Sequence, residues 1–371
     1  MTRALPELRR IVVKVGSGLV TESGLGPDPG RIAQLAADLS GALAGRLEVA
    51  LVSSGAIAAG TIRLGLRERP RSIPEKQAAA AAGQVALMWH YEQAFALHGV
   101  RVAQILLTQD DISSRARYLN ARNTLLTLLG LGVLPIVNEN DTVAVEEIKV
   151  GDNDNLAALV AYLIEADLLV LLSDTDGLYT GDPNRDPHAR RIETVETITP
   201  EMERLAGAQG LLGTGGMVTK LQAAQKAMAA GIPMVIADGR RPGVLAAVLG
   251  GEPAGTYFRP RADRLTARKR WIAFATPVQG ALEVDAGARH ALVTDGRSLL
   301  PSGVVKVDGE FAAGDTVGVR DPTGHEFARG IVSYDAREVG FLCGAKTSDI
   351  ERLLGYRVGD EVIHRDNLVI L

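Results

Sequence analysis

The sequences VLPIVNEND at 133–141 and GDNDNLAALV at 151–160 give the clearest indication of the fold. The apolar run at the start of the first predicts a buried strand, and the apolar spacing at the end of the second predicts a helix with Asp154 or Asn155 as its N-cap. The eighteen residues 138–155 contain three aspartates and four asparagines, a compact set of acceptors for an ammonium group or a metal ion. An ordinary Asx-rich turn would contain the same residue types, and that alternative stays open at this point.

Bulk composition excludes several classes of protein. At 371 residues the chain exceeds one typical hydrophobic core, which predicts two domains. A net charge of -4 gives no sign of a polyanionic partner. The single cysteine, Cys343, excludes an intrachain disulfide and fits a reducing cytoplasm. The longest apolar stretch, 156–172, is interrupted by Glu165 and Asp167, so no membrane span is predicted. The six histidines are scattered and form no metal-ligand pattern.

Strands and helices alternate along the first two thirds of the chain. Apolar runs that predict buried strands lie at 10–15, 48–52, 100–107, 133–137, 168–172 and 234–237. Helical spacing lies between them, for example at 29–44. This alternation predicts an α/β domain over residues 1–258, a doubly wound, mostly parallel sheet sandwiched by helices.

The last third of the chain has a different pattern. Glycine, proline and arginine interrupt the apolar periodicity near 250–270, and short alternating segments follow, separated by Gly and Asp turns. This pattern predicts a linker and a small β-barrel-like domain over 259–371, with one helix near 348–354. From Arg268 onward, 13 basic residues stand against 15 acidic ones, so the tail lacks the basic surface of a nucleic-acid binder.

Glycine-rich turns with lysines follow or open several of these elements. Lys14 ends a strand at VGSG, and Lys220 enters a helix after GTGGMVT at 213–219. Exposed N–H groups at a helix start, together with an ammonium group, form an anion site. The small residues SSGAIAAG at 53–60 also follow a strand, although they would equally allow a helix to pack close to the sheet. Only eight residues of the chain are lysines, and chance placement of these lysines remains an alternative.

Two lysines on glycine turns, beside carboxylates at strand ends, suggest phosphoryl transfer from a nucleotide. We expect Lys14 and Lys220 to contact the transferring phosphoryl group and Asp154 to lie between them. Mg²⁺ would bridge the phosphates of ATP. A carboxylate acceptor is already ionised at pH 7 and needs no general base, which agrees with the missing catalytic histidine. The Asn/Asp stretch would then bind the acceptor's ammonium group, and the product would be an acyl phosphate.

The same motifs resemble the amino acid kinase family, and the segment from about 270 to 360 resembles the PUA domain that some members carry. The resemblance rests on five motifs that occur in the same order as in the family. They are VKVGS at 13–17, SSGAIAAG at 53–60, NEND at 138–141, IKVGDNDN at 148–155 and GTGGM at 213–217. It implies the fold predicted above and ATP-dependent phosphorylation of the γ-carboxylate of L-glutamate. That reaction is the first step of proline synthesis and is usually inhibited by proline.

Residue roles follow from the resemblance position by position. It implies that Ser54, Asp141 and Asn153 hold glutamate, and that Asp154 organises the lysines. It further implies an ATP site formed by ten residues from three segments of the chain. These residues are Lys14, Ser173, Asp174, Thr214, Gly215, Gly216, Met217, Val218, Thr219 and Lys220. Val218 stands where a serine is common in the family, and an apolar residue there should matter little if the backbone binds the phosphates. Asp176 stands where some relatives carry other residues, so the adenine contacts of the loop after Ser173 are less defined. The metal ligands cannot be assigned from these motifs.

Two rival readings remain. Related kinases that act on aspartate, acetylglutamate, carbamate or UMP share the nucleotide half, so only the 138–155 loop and the PUA-like tail favour glutamate. The second alternative is an RNA-binding protein, because PUA domains occur in RNA-modifying proteins. The negative net charge of the C-terminal segment argues against this alternative. The alanine-rich segment from Ala78 to Leu97 predicts packing inside the protein or against a second subunit, hence a homo-oligomer.

Overall fold

The computed structural model describes residues 3, 5–22, 26–68, 70–143, 153–181, 186, 188–208, 216–260, 272–273 and 277–371. The chain divides into two compact units, Met1–Arg264 and Leu265–Leu371. The domain boundary at residue 258 remains a prediction; the division between the units lies six residues beyond it.

Eight strands of the described residues form one sheet in the first unit, in the order β5-β6-β4-β1-β7-β9-β10-β8. These strands are β1 Arg10–Val15, β4 Glu48–Ser53, β5 Arg101–Leu107, β6 Val133–Glu139, β7 Leu168–Ser173, β8 Thr194–Val195, β9 Met234–Asp238 and β10 Thr256–Phe258. A separate small ribbon consists of β2 Thr21–Glu22 and β3 Gly26–Pro27. Neighbouring strands of the sheet are parallel except β9 and β10. The prediction of a mostly parallel α/β sheet is therefore confirmed.

Helices occupy the connections between these strands. Their bounds are α1 Pro29–Ala44, α2 Ala56–Arg63, α3 Ile73–Ala96, α4 Gln109–Ser113, α5 Arg115–Gly130, α6 Asn153–Leu163, α7 Pro200–Ala208, α8 Met217–Ala229 and α9 Val244–Leu249. Local signals fix several helix ends. Asp28 caps α1, and Ser72 forms a capping box with Glu75 at the start of α3. Gly231 directly follows the C-cap residue of α8 and has a φ of 74°, the left-handed conformation that ends many helices.

Helix α6 starts earlier than predicted, and the cap assigned to Asp154 or Asn155 is wrong. The helix begins at Asn153, which places both residues inside its first turn. Their side chains make tertiary contacts instead: Asp154 bonds to lysines, and Asn155 donates to Gln222 Oε1 at 3.2 Å. Residues 154–163 are all buried, so α6 is a core helix whose polar start faces the end of the sheet.

The second unit is built on a five-stranded sheet in the order β12-β11-β13-β14-β15. Its strands are β11 Val278–Val284, β12 Val304–Gly309, β13 Thr316–Arg320, β14 Glu326–Ile331 and β15 Leu368–Ile370. The prediction of a strand-rich second domain is confirmed, but the prediction of a single helix is wrong. Helices at Ala286–Val293 and Ala336–Leu342 accompany the expected one at Ile350–Leu354. Both are short, and they depend on aspartate caps that resemble ordinary turn residues in the sequence.

Among the described residues, no helix is both long enough and apolar enough to span a membrane.

Candidate active site

The site lies where four neighbouring parallel strands end. Strands β6, β4, β1 and β7 are adjacent, so their carboxyl ends share one edge of the sheet. In the register, Val15 lies opposite Ser53 on one side and Leu172 on the other. The residues that follow these strands therefore converge, although the ends of β1 and β7, Val15 and Ser173, are 158 positions apart in the chain.

Asp154 bridges Lys14 and Lys220. Its Oδ1 lies 2.5 Å from Lys14 Nζ, and its Oδ2 lies 3.1 Å from Lys220 Nζ. All three side chains are buried: Lys14 is 4% exposed, Lys220 5% and Asp154 0%. Strand β1 supplies the first lysine, the first turn of α6 supplies the carboxylate, and the first turn of α8 supplies the second lysine.

The electrostatics of this cluster favour its charged form. Burial alone would raise the pKa of the Asp154 carboxyl, but the attraction of Lys14 and Lys220 outweighs burial and lowers that pKa to about 2. The positive end of the α6 dipole favours the carboxylate further. The Thr219 hydroxyl, 3.1 Å from Asp154 Oδ2 and 2.7 Å from the Gly216 carbonyl, can donate to either oxygen.

A second cluster, formed by side-chain amides, adjoins Ser54. Asn153 Nδ2 lies 2.8 Å from the Ser53 carbonyl oxygen, 2.8 Å from Ser54 Oγ and 2.9 Å from Asn138 Oδ1. Asn153 Oδ1 is buried and accepts no hydrogen bond from the described residues. The structure thus brings together Ser54 and Asn153, two of the residues predicted to hold glutamate.

Asp141, the third of those residues, follows β6 by two positions and is half-buried. Burial raises the pKa of its carboxyl to about 6. Its neighbour Asn140 is held by a hydrogen bond from its backbone N–H to the Leu107 carbonyl at 2.9 Å. A carboxylate at this position can bind a cation when it is ionised.

Helix α3 supports the amide cluster through two residues that sequence reasoning missed. Gln84 Oε1 accepts from Asn138 Nδ2 at 2.9 Å, and the Tyr91 hydroxyl lies 2.7 Å from Ser53 Oγ. Burial raises the pKa of the Tyr91 hydroxyl. The two residues are seven positions apart and therefore share one face of the helix. The only sequence signal was a polar Gln84 among alanines, which does not specify its partner.

The predicted nucleotide residues Ser173 and Asp174 lie at the end of β7 beside the end of β9. Ser173 is buried and Asp174 exposed, and Ser173 Oγ donates to Asp174 Oδ1 at 3.1 Å. Arg240, also missed, donates to the Asp174 carbonyl at 2.6 Å and makes a two-pronged bond to Asp238, with both N···O distances 2.9 Å. Asp174, Asp238 and Arg240 border a cavity of about 570 Å³.

Other groups around this cavity form a small ionic network. Asp176 accepts from the Tyr179 hydroxyl at 2.8 Å and from Arg191 Nη1 at 3.1 Å. The hydrogen bond to Asp176 raises the pKa of the Tyr179 hydroxyl. The cavity therefore offers both hydrogen-bond donors and acceptors, as a polar ligand requires.

The glycine-rich segment before α8 is described from Gly216 onward, and Thr214 and Gly215 lie outside the described residues, as does Lys149. Gly216 and Met217 are half-buried at the start of α8, and the Val218 side chain is exposed. An exposed side chain at 218 agrees with the expectation that an apolar residue there matters little. Among the residues described, no group of three or more His, Cys, Asp or Glu side chains could hold a metal ion.

Comparison with known proteins adds independent information. Residues 9–238 match the model of the amino acid kinase family, and residues 280–354 match that of the PUA domain. A glutamate 5-kinase of Geobacter sp. (strain M21) is 53% identical over 368 residues, with 99% of each chain covered. A glutamate 5-kinase of Moorella thermoacetica is 52% identical over 369 residues, covering 99% of this chain and 98% of the relative. Among solved structures, the UMP kinase from Bacillus anthracis gives a TM-score of 0.48 at 16% identity, with 69% of this chain and 97% of that one covered.

Proposed function

Since this chain belongs to the amino acid kinase family and falls among its glutamate 5-kinases, we propose that Lys14, Lys220 and Asp154 carry its phosphoryl transfer. The reaction moves the γ-phosphoryl group of ATP to the side-chain carboxylate of L-glutamate. It gives L-glutamyl 5-phosphate and ADP, and it is the first step of proline biosynthesis. The observation that carries the assignment of residues is the single carboxylate that bridges two buried lysines.

The proposed mechanism needs charge neutralisation rather than a base. A glutamate carboxylate oxygen attacks the γ-phosphorus, and the bond from that phosphorus to the β,γ-bridging oxygen breaks, so that its electrons leave with ADP. The transition state spreads negative charge over the equatorial oxygens of the phosphoryl group. Lys14 and Lys220 would neutralise this charge, while Asp154 holds both ammonium groups in place. No proton has to be removed, because the acceptor is already ionised.

Glutamate would bind beside the amide cluster, with Ser54, Asp141 and Asn153 as its ligands. The buried, unsatisfied Asn153 Oδ1 and the carboxylate of Asp141 are suited to an ammonium group. The acceptor preference is tested by hydroxamate formation from L-glutamate and L-aspartate measured side by side. Faster turnover of aspartate would overturn glutamate as the acceptor.

ATP would extend from the lysines toward the cavity beside Ser173 and Asp174. The start of α8, from Gly216 through Met217, Val218 and Thr219, would contribute N–H groups to the phosphates, and the predicted contacts of Thr214 and Gly215 belong to the same segment. Mg²⁺ would enter bound to the phosphates of ATP, because Mg²⁺ in kinase sites is held mainly by substrate phosphates and one or two carboxylates. Titrating Mg²⁺ at fixed ATP tests this, since activity should follow the concentration of the Mg–ATP complex.

We further propose feedback inhibition by proline at the glutamate site. Proline carries an amino group and a carboxylate on the same carbon, as glutamate does, so it would compete for Asp141 and Asn153. Variants Asp141→Asn and Lys149→Ala should need more proline for half inhibition at matched glutamate saturation. Unchanged proline sensitivity in both variants would place the inhibitor elsewhere.

A homo-oligomer is proposed from the exposed face of α3. Val85 and Trp89 lie four residues apart on that helix and are 62% and 57% exposed. Two large apolar side chains on one helical face are typical of a subunit contact. Light scattering should give a mass above that of one chain, and Trp89→Glu should reduce it.

Because the reaction consumes ATP, we place the enzyme in the cytoplasm.

A further inference from the structure

Two backbone groups fix the orientation of the Asn138 and Asn153 amides. Asn138 Oδ1 accepts the backbone N–H of Glu139 at 2.9 Å, and because that group can only donate, the amide nitrogen of Asn138 must point the other way. Asn153 Nδ2 lies 2.8 Å from the Ser53 carbonyl, which can only accept. The amide nitrogen of Asn153 therefore faces the strand ends, and its oxygen faces away from them.

These orientations make a directional chain that starts at Gln84. Gln84 Oε1 accepts from Asn138 Nδ2 at 2.9 Å, and Asn138 Oδ1 accepts from Asn153 Nδ2 at 2.9 Å. The chain ends at Asn153 Oδ1, a buried acceptor to which no described residue donates. Buried acceptors in proteins are nearly always satisfied, so this one calls for a donor from beyond the described residues, and a bound substrate could supply it.

We propose that Gln84 is a positioning residue for glutamate: through Asn138 it holds Asn153 so that Asn153 Oδ1 accepts from the substrate's α-ammonium group. This inference rests on the proposed role of Asn153 in the glutamate site. Gln84 is 8% exposed and lies on a helix whose buried neighbours Ala80 and Leu87 are apolar. A buried amide is favourable there only when it is hydrogen-bonded, which Asn138 provides.

The test compares glutamate with glutarate, which is glutamate without its amino group. Gln84→Met keeps the volume but removes the acceptor, and it should raise the KM for glutamate about tenfold, the effect of one well-placed hydrogen bond. The inhibition constant of glutarate and the KM for ATP should stay within about twofold of wild type, because neither ligand uses the ammonium contact. Gln84→Glu keeps an acceptor at the same place and should restore much of the affinity for glutamate.

Matched variants separate this role from a general packing effect. Gln93→Met makes the same change at an exposed position of α3 and should behave as wild type. Gln84→Asn withdraws the acceptor without adding volume, so it tests the same contact even where Gln84→Met does not fold. An equal loss of glutarate binding, or an unchanged KM for glutamate in Gln84→Met and Gln84→Asn, would overturn the proposal.

One more variant separates this inference from the site on which it depends. Asn153→Leu removes the proposed ammonium acceptor itself and should raise the KM for glutamate at least as much as Gln84→Met. An unaltered KM in Asn153→Leu would remove the proposed glutamate site. A raised KM in Asn153→Leu with wild-type values in the Gln84 variants would remove only the positioning role of Gln84.

Discussion

Lys14 and Lys220 contact opposite oxygens of one carboxylate, although 206 positions separate them in the sequence. Each lysine is more than nine-tenths buried, and a buried ammonium without a partner would lose its proton or destabilise the fold. Asp154 meets this requirement for both lysines at once. The arrangement concentrates positive charge at the edge of the sheet while each lysine remains paired.

Replacing either lysine should therefore affect catalysis more than glutamate binding. Lys14→Ala and Lys220→Ala are each expected to lower kcat by about 100-fold or more, the scale of removing one donor to a transition-state charge. The KM for glutamate should change by less than about threefold, because the lysines act on the transferring group. Steady-state kinetics measure both parameters, and Lys226→Ala, on the same helix as Lys220, serves as the control. A variant with wild-type kcat would exclude its residue from the mechanism.

Removing the shared carboxylate should reduce stability in a pH-dependent way. The pKa of Asp154 is lowered to about 2 in the folded state, below its unfolded value of about 4. Its contribution to the free energy of unfolding is thus fully present above pH 4 and is lost as the pH falls through 2. Asp154→Asn removes the negative charge that contacts both buried ammonium groups, so it should lose about 3 kcal/mol or more at pH 7. In urea unfolding, the difference in the free energy of unfolding between wild type and Asp154→Asn should be smaller at pH 3 than at pH 7. An equal difference at the two pH values would contradict the prediction.

Ionisation of Asp141 should determine how kcat/KM for glutamate falls at low pH. Burial raises the pKa of its carboxyl to about 6, and only the ionised form can bind an ammonium group. We expect kcat/KM for glutamate to fall as the pH drops below about 6, since this parameter reports groups of the free enzyme. The same raised pKa means that stability falls as the pH rises from about 4 to about 6, because the unfolded chain releases this proton first. In Asp141→Asn, kcat/KM should be low and lack this inflection; an inflection that persists belongs to another group.

Arg240 should control ATP affinity through the Asp174 carbonyl. Its guanidinium is held by Asp238 and donates to that carbonyl at 2.6 Å, so it fixes the segment that follows β7. Arg240→Ala should raise the KM for ATP about tenfold and leave the KM for glutamate nearly unchanged. Arg240→Lys should not restore the affinity, because an ammonium group cannot make the two-pronged bond. An equal rise in both KM values would indicate a general structural defect instead.

The sequence predicted what depends on local pattern and missed what depends on distant partners. The apolar runs of β1 and β7 predicted a buried parallel sheet, and the acceptor-rich stretch before α6 predicted the neighbourhood of Asp154. Strand β10 escaped prediction because a strand of three residues is too short to show a periodicity. Gln84 and Arg240 also escaped, because their roles are set by Asn138 and Asp174 in other elements, which tertiary packing alone brings near.

The contact between α2 and α3 should tolerate no side chain at its two glycines. A Cβ added to Gly60 would lie 1.6 Å from the Ala79 carbonyl oxygen, and one added to Gly83 would lie 1.8 Å from the Ala56 carbonyl oxygen. Both obstacles are backbone atoms, so the helices would have to separate. Gly83→Ala should therefore lower the free energy of unfolding by about 1–3 kcal/mol or more, in the range of overpacked cores.

The matched control is Gly41→Ala in α1, where an added Cβ meets no atom within 4 Å. Alanine is favoured over glycine in an exposed helix, so this variant should gain about 0.5–1 kcal/mol. Denaturant unfolding of both variants measures the change in the free energy of unfolding. The same substitution should lower this free energy at Gly83 and raise it at Gly41. A Gly83→Ala variant as stable as wild type would show that α2 and α3 can move apart without loss, and that the close approach of the two helices beside Gln84 is not required by the fold.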